Sequence, residues 1–178
     1  PMLGALRAWA LAHDDRSLAT ACQRLAAATP VGPWRALPGP TGEANLYAVL
    51  PRERVLCLAG DVSARLAQLA AVLAVGSRAL WPAAAADLRE RLPAEVRERV
   101  DLVDDWRHAN AGFDAVLHAG SPAALTAVLE ALSNRPGPIV GVTHMAGTDI
   151  ALERLLRERS LSVNTTAAGG NASLMTMG

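Results

Sequence analysis

The sequence predicts an α/β fold: a Rossmann-like, mostly parallel sheet with helices on both faces. Three observations predict it. Short apolar runs without polar alternation, such as RVLCLA and PIVGVT, are typical of strands that are buried on both faces. Segments with apolar residues at helical spacing separate these runs, and short glycine-rich joints connect them. Residues of the AVILMFWYC class form 51% of the 178 residues, which is enough for a sizeable core.

Two helices are predicted at the start of the chain, within residues 2–28. The polar His13-Asp14-Asp15 divides them, and Asp15 is a suitable N-cap for the second helix. Residues 29–42 are dense in proline and glycine, which excludes a helix or a central strand and predicts a linker or an arm lying on a surface. The predicted organisation has three parts: helices and linker at 1–42, the Rossmann-like domain at 43–159, and a strand-like tail at 160–178.

Strands and helices then alternate. Gly60-Asp61 supplies a turn and an N-cap, Gly76 ends a helix, and Pro82 ends a strand. Strands are predicted at 45–50, 54–59, 78–81, 100–103, 113–118 and 138–143, and helices at 62–75, 83–91, 94–99, 122–132 and 149–159.

Composition excludes several classes of function. The 17 basic and 17 acidic residues balance, whereas a nucleic-acid surface needs a basic excess. All 17 basic residues are arginine, which excludes a P-loop lysine and Schiff-base chemistry. Cys22 and Cys57 make neither a disulfide framework nor a zinc cluster, and the apolar surroundings of Cys57 favour a buried thiol. With no apolar run of about 20 residues and no visible signal peptide, we expect a cytoplasmic location.

Ligands of such folds bind at the carboxyl ends of strands, where two candidates lie. Gly120 and Ser121 open a helix whose free amides could hold a phosphate, although a Ser N-cap followed by proline is also sufficient for structure alone. His118 and His144 could suggest a metal or a base. Because no carboxylate or cysteine has ligand spacing to either, we expect two structural histidines and no metal.

The last residues, SVNTTAAGGNASLMTMG, carry no charged side chain and end on an apolar Leu-Met-x-Met group. The segment 162–168 is strand-like, and its small residues allow close backbone approach. Such a strand could pair with a sheet edge on a partner. The residues expected to make that contact are Ser162, Val163, Asn164, Thr165, Gly169, Gly170, Asn171, Leu174, Met175 and Met177.

Several of these stretches are similar to known families. QLAAVLAVGSRALWP (68–82), DAVLHAGSPAALTAVLEAL (114–132) and PGPIVGV (136–142) resemble the nucleotide-binding part of the aldehyde dehydrogenase superfamily. LERLLRERSLSVNTTAAGGNASLMTMG (152–178) resembles the C-terminal motif of the bacterial proline utilization A family, and PGPTGEANLYAVLPRERVLCLA (38–59) the start of that family's C-terminal domain. That family joins an FAD-dependent proline dehydrogenase to an NAD-dependent L-glutamate gamma-semialdehyde dehydrogenase, with a cavity between them.

Departures from the superfamily's pattern indicate that the chemistry is lost. Trp81 stands where the superfamily has a lysine on the cofactor's ribose, and Ala84 stands at the following acidic position. His118-Ala119-Gly120-Ser121 replaces the aromatic-Thr-Gly-Ser phosphate turn. No cysteine has the context of the superfamily's nucleophile. The resemblance therefore implies a segment that is not an enzyme and holds no cofactor, with Gly120 and Ser121 as vestigial candidates.

Three functions remain open. The first is a structural domain whose tail packs on the catalytic aldehyde dehydrogenase domain of the same polypeptide and seals the channelling cavity. In isolation, that tail would be disordered or would pair with a second copy as a homodimer. The second is a module that still binds NAD or another anion at Gly120 and Ser121. The third, an independent enzyme, lacks a nucleophile or a base.

Overall fold

The computed structural model describes residues 2–145, 147 and 149–164, which form two sheets and their flanking helices. A five-stranded parallel sheet has the order β5-β4-β3-β6-β7, and a three-stranded antiparallel sheet has the order β1-β2-β8. The strands are β1 Arg35–Leu37, β2 Glu43–Pro51, β3 Arg54–Ala59, β4 Arg78–Pro82, β5 Val100–Val103, β6 Ala115–Ala119, β7 Val142–His144 and β8 Leu156–Asn164. The α-helices are α1 Met2–Ala12, α2 Arg16–Ala28, α3 Val62–Ala74, α4 Ala86–Glu90, α5 Ala94–Arg97 and α6 Pro122–Ser133, with 3₁₀ turns at Ala83–Ala85 and Leu152–Leu155.

The parallel sheet confirms the predicted α/β class. Its central strand, β3, pairs with β4 on one side and β6 on the other, and it is almost continuously buried. One face of the sheet packs against α1, α2 and α3 in the larger apolar cluster, whereas α6 covers the other face through Val128. Both faces of the central strands β3, β4 and β6 are therefore removed from water, as their unbroken apolar composition requires.

Local capping rules place the helices. The side chain of Asp15 accepts a hydrogen bond from the Leu18 amide, so His13-Asp14-Asp15 does divide the first two helices. Asp61 and Ser121 cap α3 and α6 in the same way. Gly76 follows α3 with φ +84°, a left-handed conformation that favours glycine over residues with a Cβ.

The segment 149–159, predicted as a helix, is the clearest correction. The structure has only the 3₁₀ turn Leu152–Leu155 there, followed by β8, which pairs antiparallel with β2 over nine residues. The residues LERLLRER favour a helix, but Leu155 and Leu156 become buried where the turn meets the strand. Tertiary pairing with β2 has overridden local propensity.

Two smaller differences concern strand ends. The strand predicted at 138–143 is reduced to β7, because Ile139 is fully exposed and only Val142–His144 pairs with β6. The proline-rich 29–42 contains β1, a three-residue edge strand on β2. Prolines are tolerated beside an edge strand because most backbone amides on its outer side need not donate hydrogen bonds to a neighbouring strand.

No helix in the described part of the chain is long and apolar enough to cross a membrane.

Candidate functional site

A crevice opens at the carboxyl edge of the parallel sheet, between β3 and β6. The chain runs from β3 through β4 to β5, returns to the other side of β3 as β6, and continues to β7. Strand order reverses between β3 and β6, which is where doubly wound folds bind their ligands. A cavity of about 420 Å³ lies there, and its lining consists of Gly60, Asp61, Ser63, Ala64, Ala119, Gly120, Met145 and Gly147.

The two helix N-termini beside this crevice are already capped by side chains. Oδ1 of Asp61 accepts a hydrogen bond from the Ala64 amide at 2.8 Å, and Oγ of Ser121 accepts one from the Ala124 amide at 3.2 Å. A phosphate in this crevice would meet the Asp61 carboxylate at the position where the α3 dipole otherwise favours an anion. Sequence reasoning identified Asp61 as a cap but missed this electrostatic consequence, since the crevice exists only after β3 and β6 pair.

Gly120 has a packing reason that does not involve a ligand. A Cβ at this position would lie 3.3 Å from both Cε1 and Nε2 of His118. The imidazole is 97% buried, so it has little room to move away. Glycine at 120 therefore lets the turn pass over the His118 ring, whereas anion binding at Gly120 and Ser121 stays a prediction.

Trp81 fills the end of β4. Its side chain is fully buried in the larger apolar cluster, beneath α3. The Arg65 guanidinium lies 5.7 Å from the indole centroid and donates a hydrogen bond to the Ala59 carbonyl. The residue that the resemblance matches to the superfamily's ribose-binding lysine is therefore a core side chain here.

Neither cysteine can act as a nucleophile at neutral pH. Both thiols are buried, and burial raises the pKa of Cys57 to about 12 and that of Cys22 to about 11. A protonated thiol is a poor nucleophile. Among the described residues, no group of three or more histidine, cysteine or acidic side chains could hold a metal ion.

The structure brings His118 and His144 together. They are register partners at the ends of β6 and β7, and their Nδ1 atoms are 3.0 Å apart. Burial, and secondarily the charge of His144, lowers the pKa of His118. Sequence reasoning placed both residues at strand ends but did not predict their contact, because it depended on the register of β7.

The opposite, amino edge of the sheet carries a charged cluster that sequence reasoning also missed. Asp101 accepts hydrogen bonds from Arg78 at 2.6 and 3.1 Å, and Arg54 lies 3.2 Å from the same carboxylate. The hydrogen bond from Arg78 is the main cause that lowers the pKa of Asp101. The Asp101 carboxylate joins the starts of β3 and β4 to β5, so it ties strand ends together.

The expected partner-contact residues fall into two groups. Ser162, Val163 and Asn164 are exposed residues of β8, and their register partners on β2 are Asn45, Ala44 and Glu43. One edge of this strand is therefore occupied within the chain itself. Because β8 ends its sheet, no described strand pairs with its outer edge. The remaining expected contacts lie outside the described residues: Thr165, Gly169, Gly170, Asn171, Leu174, Met175 and Met177.

We expect NAD not to bind the crevice. Calorimetric titration of the 178-residue chain should show no saturation up to about 1 mM NAD, since the Asp61 carboxylate repels a pyrophosphate and buried Trp81 offers no polar contact. Asp61→Asn is the matched variant for the effect of this charge, because asparagine keeps an N-cap side chain but removes the negative charge. Saturable micromolar binding by the unaltered chain, lost in Ser121→Ala, would support the binding module instead.

Comparison with known proteins places the chain within longer relatives. No family model matches it. It is 52% identical over 180 residues to the bifunctional protein PutA of Salmonella typhimurium and 49% identical to that of Escherichia coli, in each case over 99% of this chain. The chain spans only 14% of the length of these relatives.

The fold is also similar to part of an aldehyde dehydrogenase-like protein from Burkholderia cenocepacia, with a TM-score of 0.54 at 18% sequence identity, over 80% of this chain and 38% of that chain. NADP-dependent glyceraldehyde-3-phosphate dehydrogenase from Bacillus halodurans superposes with a TM-score of 0.54 at 13% sequence identity, over 80% of this chain and 39% of the dehydrogenase chain. This similarity concerns the fold alone, and it agrees with the expected resemblance.

Proposed function

Because the chain is similar over essentially its whole length to one segment of the PutA proteins, we propose that it is a non-catalytic structural domain at the C-terminus of such a bifunctional enzyme of proline catabolism. In this proposal its tail seals the cavity through which the intermediate passes and supports the aldehyde dehydrogenase active site. FAD and NAD are held by other parts of the polypeptide.

The lost chemistry supports the non-catalytic part of the proposal. In the crevice, the Asp61 carboxylate occupies the N-terminus of α3, where an anionic cofactor would otherwise bind. Trp81, which the resemblance matches to the superfamily's ribose-binding lysine, is buried. Both thiols are protonated at neutral pH, because their pKa values are about 11 and 12. In this proposal, the chain serves as a surface for another domain of the same polypeptide.

The observation that carries the structural role is the exposure of β8. Leu161 and Val163 are 48% and 43% exposed, and their β2 partners Leu46 and Ala44 lie on the same face of the small sheet. These apolar side chains lie beside the outer edge of β8, whose backbone groups pair with no described strand. An edge of this kind is suited to strand addition by a partner, which supplies main-chain hydrogen bonds and apolar contact together.

The proposed partner of this edge is the catalytic aldehyde dehydrogenase domain of the same polypeptide, which would contact β8 and residues 165–178. When that domain is missing, a second copy of the chain would bind the same edge. A reactive aldehyde held away from bulk water needs a closed cavity, and a neutral tail can close one without introducing an unpaired charge.

Truncation tests the tail. In a full-length bifunctional protein that carries this segment, we expect removal of residues 165–178 to lower aldehyde oxidation about tenfold or more, through loss of positioning, and to introduce a lag in the coupled reaction. Proline oxidation should not change. Stopping after Asn164 leaves β8 whole, whereas stopping after Ser160 also shortens the strand and should be more harmful.

A neutral Gly/Ser sequence of the same length in place of 165–178 is the matched control, because it preserves chain length but not side chains. It should behave like the truncation. Full aldehyde oxidation without a lag in the truncated protein would eliminate the sealing role.

A further inference from the structure

The contact between His118 and His144 joins the edge strand of the parallel sheet to its neighbour. The two Nδ1 atoms are 3.0 Å apart and the ring centroids 5.2 Å, so the rings meet nearly end to end in a hydrogen bond. β7 is otherwise held by a ladder of three residue pairs with β6 and by Val142, which packs against the apolar cluster that contains Val116. The side-chain contact therefore adds to a short ladder.

Only some protonation states permit this contact. One Nδ1 must carry a hydrogen and the other must accept it. His118 is 3% exposed, so burial disfavours its charged form and favours its Nδ1 as the acceptor of the hydrogen from His144. A proton on that accepting Nδ1 would remove the hydrogen bond. Two imidazolium rings at this distance repel each other and have no hydrogen bond.

The surroundings offer no excess negative charge to a doubly protonated pair. Arg52, Arg154 and Glu153 line a cavity of about 470 Å³ together with His144, and their charges sum to one positive. Asp61 lines the crevice together with Gly120 and Met145, and its charge brings that sum to zero. The turn beside His118 is the neutral Gly120-Ser121, and the one charged residue of α6, Glu130, lies nine positions beyond Ser121. Asp114, which precedes β6, is at the opposite edge of the sheet.

We propose that the His118–His144 pair is a proton-sensitive latch that holds β7 and the described residues of the segment after it, namely Met145, Gly147, Asp149 and Ile150, and that acidification releases it. The Met145 amide donates a hydrogen bond to the His118 carbonyl at 2.8 Å, so the segment begins at the latch. Met145 and Gly147 line the crevice, and Asp149 with Ile150 lines a groove beside α2. Release therefore alters both cavities and the approach to β8. The latch does not depend on the proposed function.

Hydrogen exchange at Met145 reports the latch directly. We expect the protection factor of this amide, corrected for the intrinsic rate, to fall about tenfold between pH 7.5 and pH 5.5. The sign follows from linkage: the folded-state pKa of His118 is lowered below 6.5, so the opened form binds an additional proton as the pH falls below that value. Protection that does not vary over this range would overturn the proposal.

Variants separate the latch from general acid sensitivity. His118→Gln should make the Met145 protection independent of pH. If that buried variant does not fold, the exposed His144→Gln serves, because removal of the neighbouring charge should raise the pKa of His118 in an NMR titration. His108→Gln, at a side chain that is 76% exposed, is the control and should leave both readouts unchanged. A wild-type His118 that titrates at 6.5, or a titration unaffected by His144→Gln, would refute the latch.

Discussion

Replacing Trp81 with lysine is expected to destabilise the domain severely rather than to recreate a cofactor site. The substitution restores the residue type that the aldehyde dehydrogenase superfamily uses on the ribose, yet the indole here is fully buried under α3. An ammonium group in that place would lie beside the Arg65 guanidinium and in an apolar cluster. We expect a loss of about 3–5 kcal/mol in the free energy of unfolding, from the lost indole packing and the buried charge.

Urea denaturation of the 178-residue chain measures this loss. Trp34→Lys is the matched control, because Trp34 is 44% exposed and the same change of charge should shift the free energy of unfolding by about 0.5 kcal/mol or less. An unaltered urea midpoint in Trp81→Lys would mean that the indole is not a core residue. The crevice would then have to be reconsidered as a cofactor site.

The second large effect is expected at Leu155, which anchors the start of β8. Its side chain is fully buried, and its carbonyl accepts a hydrogen bond from the Arg52 amide at 3.0 Å. Every residue of β8 after Leu156 is exposed, so the strand has little other attachment to the core than its ladder with β2. Leu155→Ala should cost about 2–5 kcal/mol of unfolding free energy and leave a cavity in the larger apolar cluster.

The Leu155→Ala prediction has a local readout as well as a global one. Hydrogen exchange along β8 should accelerate more than exchange in β3, since the strand loses its anchor while the parallel sheet keeps its own packing. Leu161→Ala, in the same strand but 48% exposed, should change stability by about 0.5 kcal/mol or less. Equal losses in the two variants would contradict the anchoring role of Leu155.

Sequence patterns predicted the parallel sheet well because its determinants are local. The strands at Arg54–Ala59 and Val100–Val103 have the bounds that their apolar composition indicated. Asp15, Asp61 and Ser121 cap their helices because a side-chain oxygen two to three residues before a free amide satisfies it in almost any context.

The failures share the opposite property, since each depends on a distant partner. LERLLRER is a good helical sequence, and only the nine-residue ladder with β2 makes β8 a strand. Likewise, the short distance between His118 and His144 follows from the pairing of β6 with β7, which no local pattern specifies.

By itself, the sequence determined the layered α/β architecture, the helix caps and the absence of a lysine or a reactive-cysteine motif, because side-chain type and spacing decide those features locally. Only the tertiary structure decided that Trp81 is sealed beneath α3, that Asp61 places a carboxylate in the crevice, and that β8 presents an open edge. Burial, electrostatic proximity and strand pairing are properties of residues far apart in the chain, so they arise only when the fold brings those residues together.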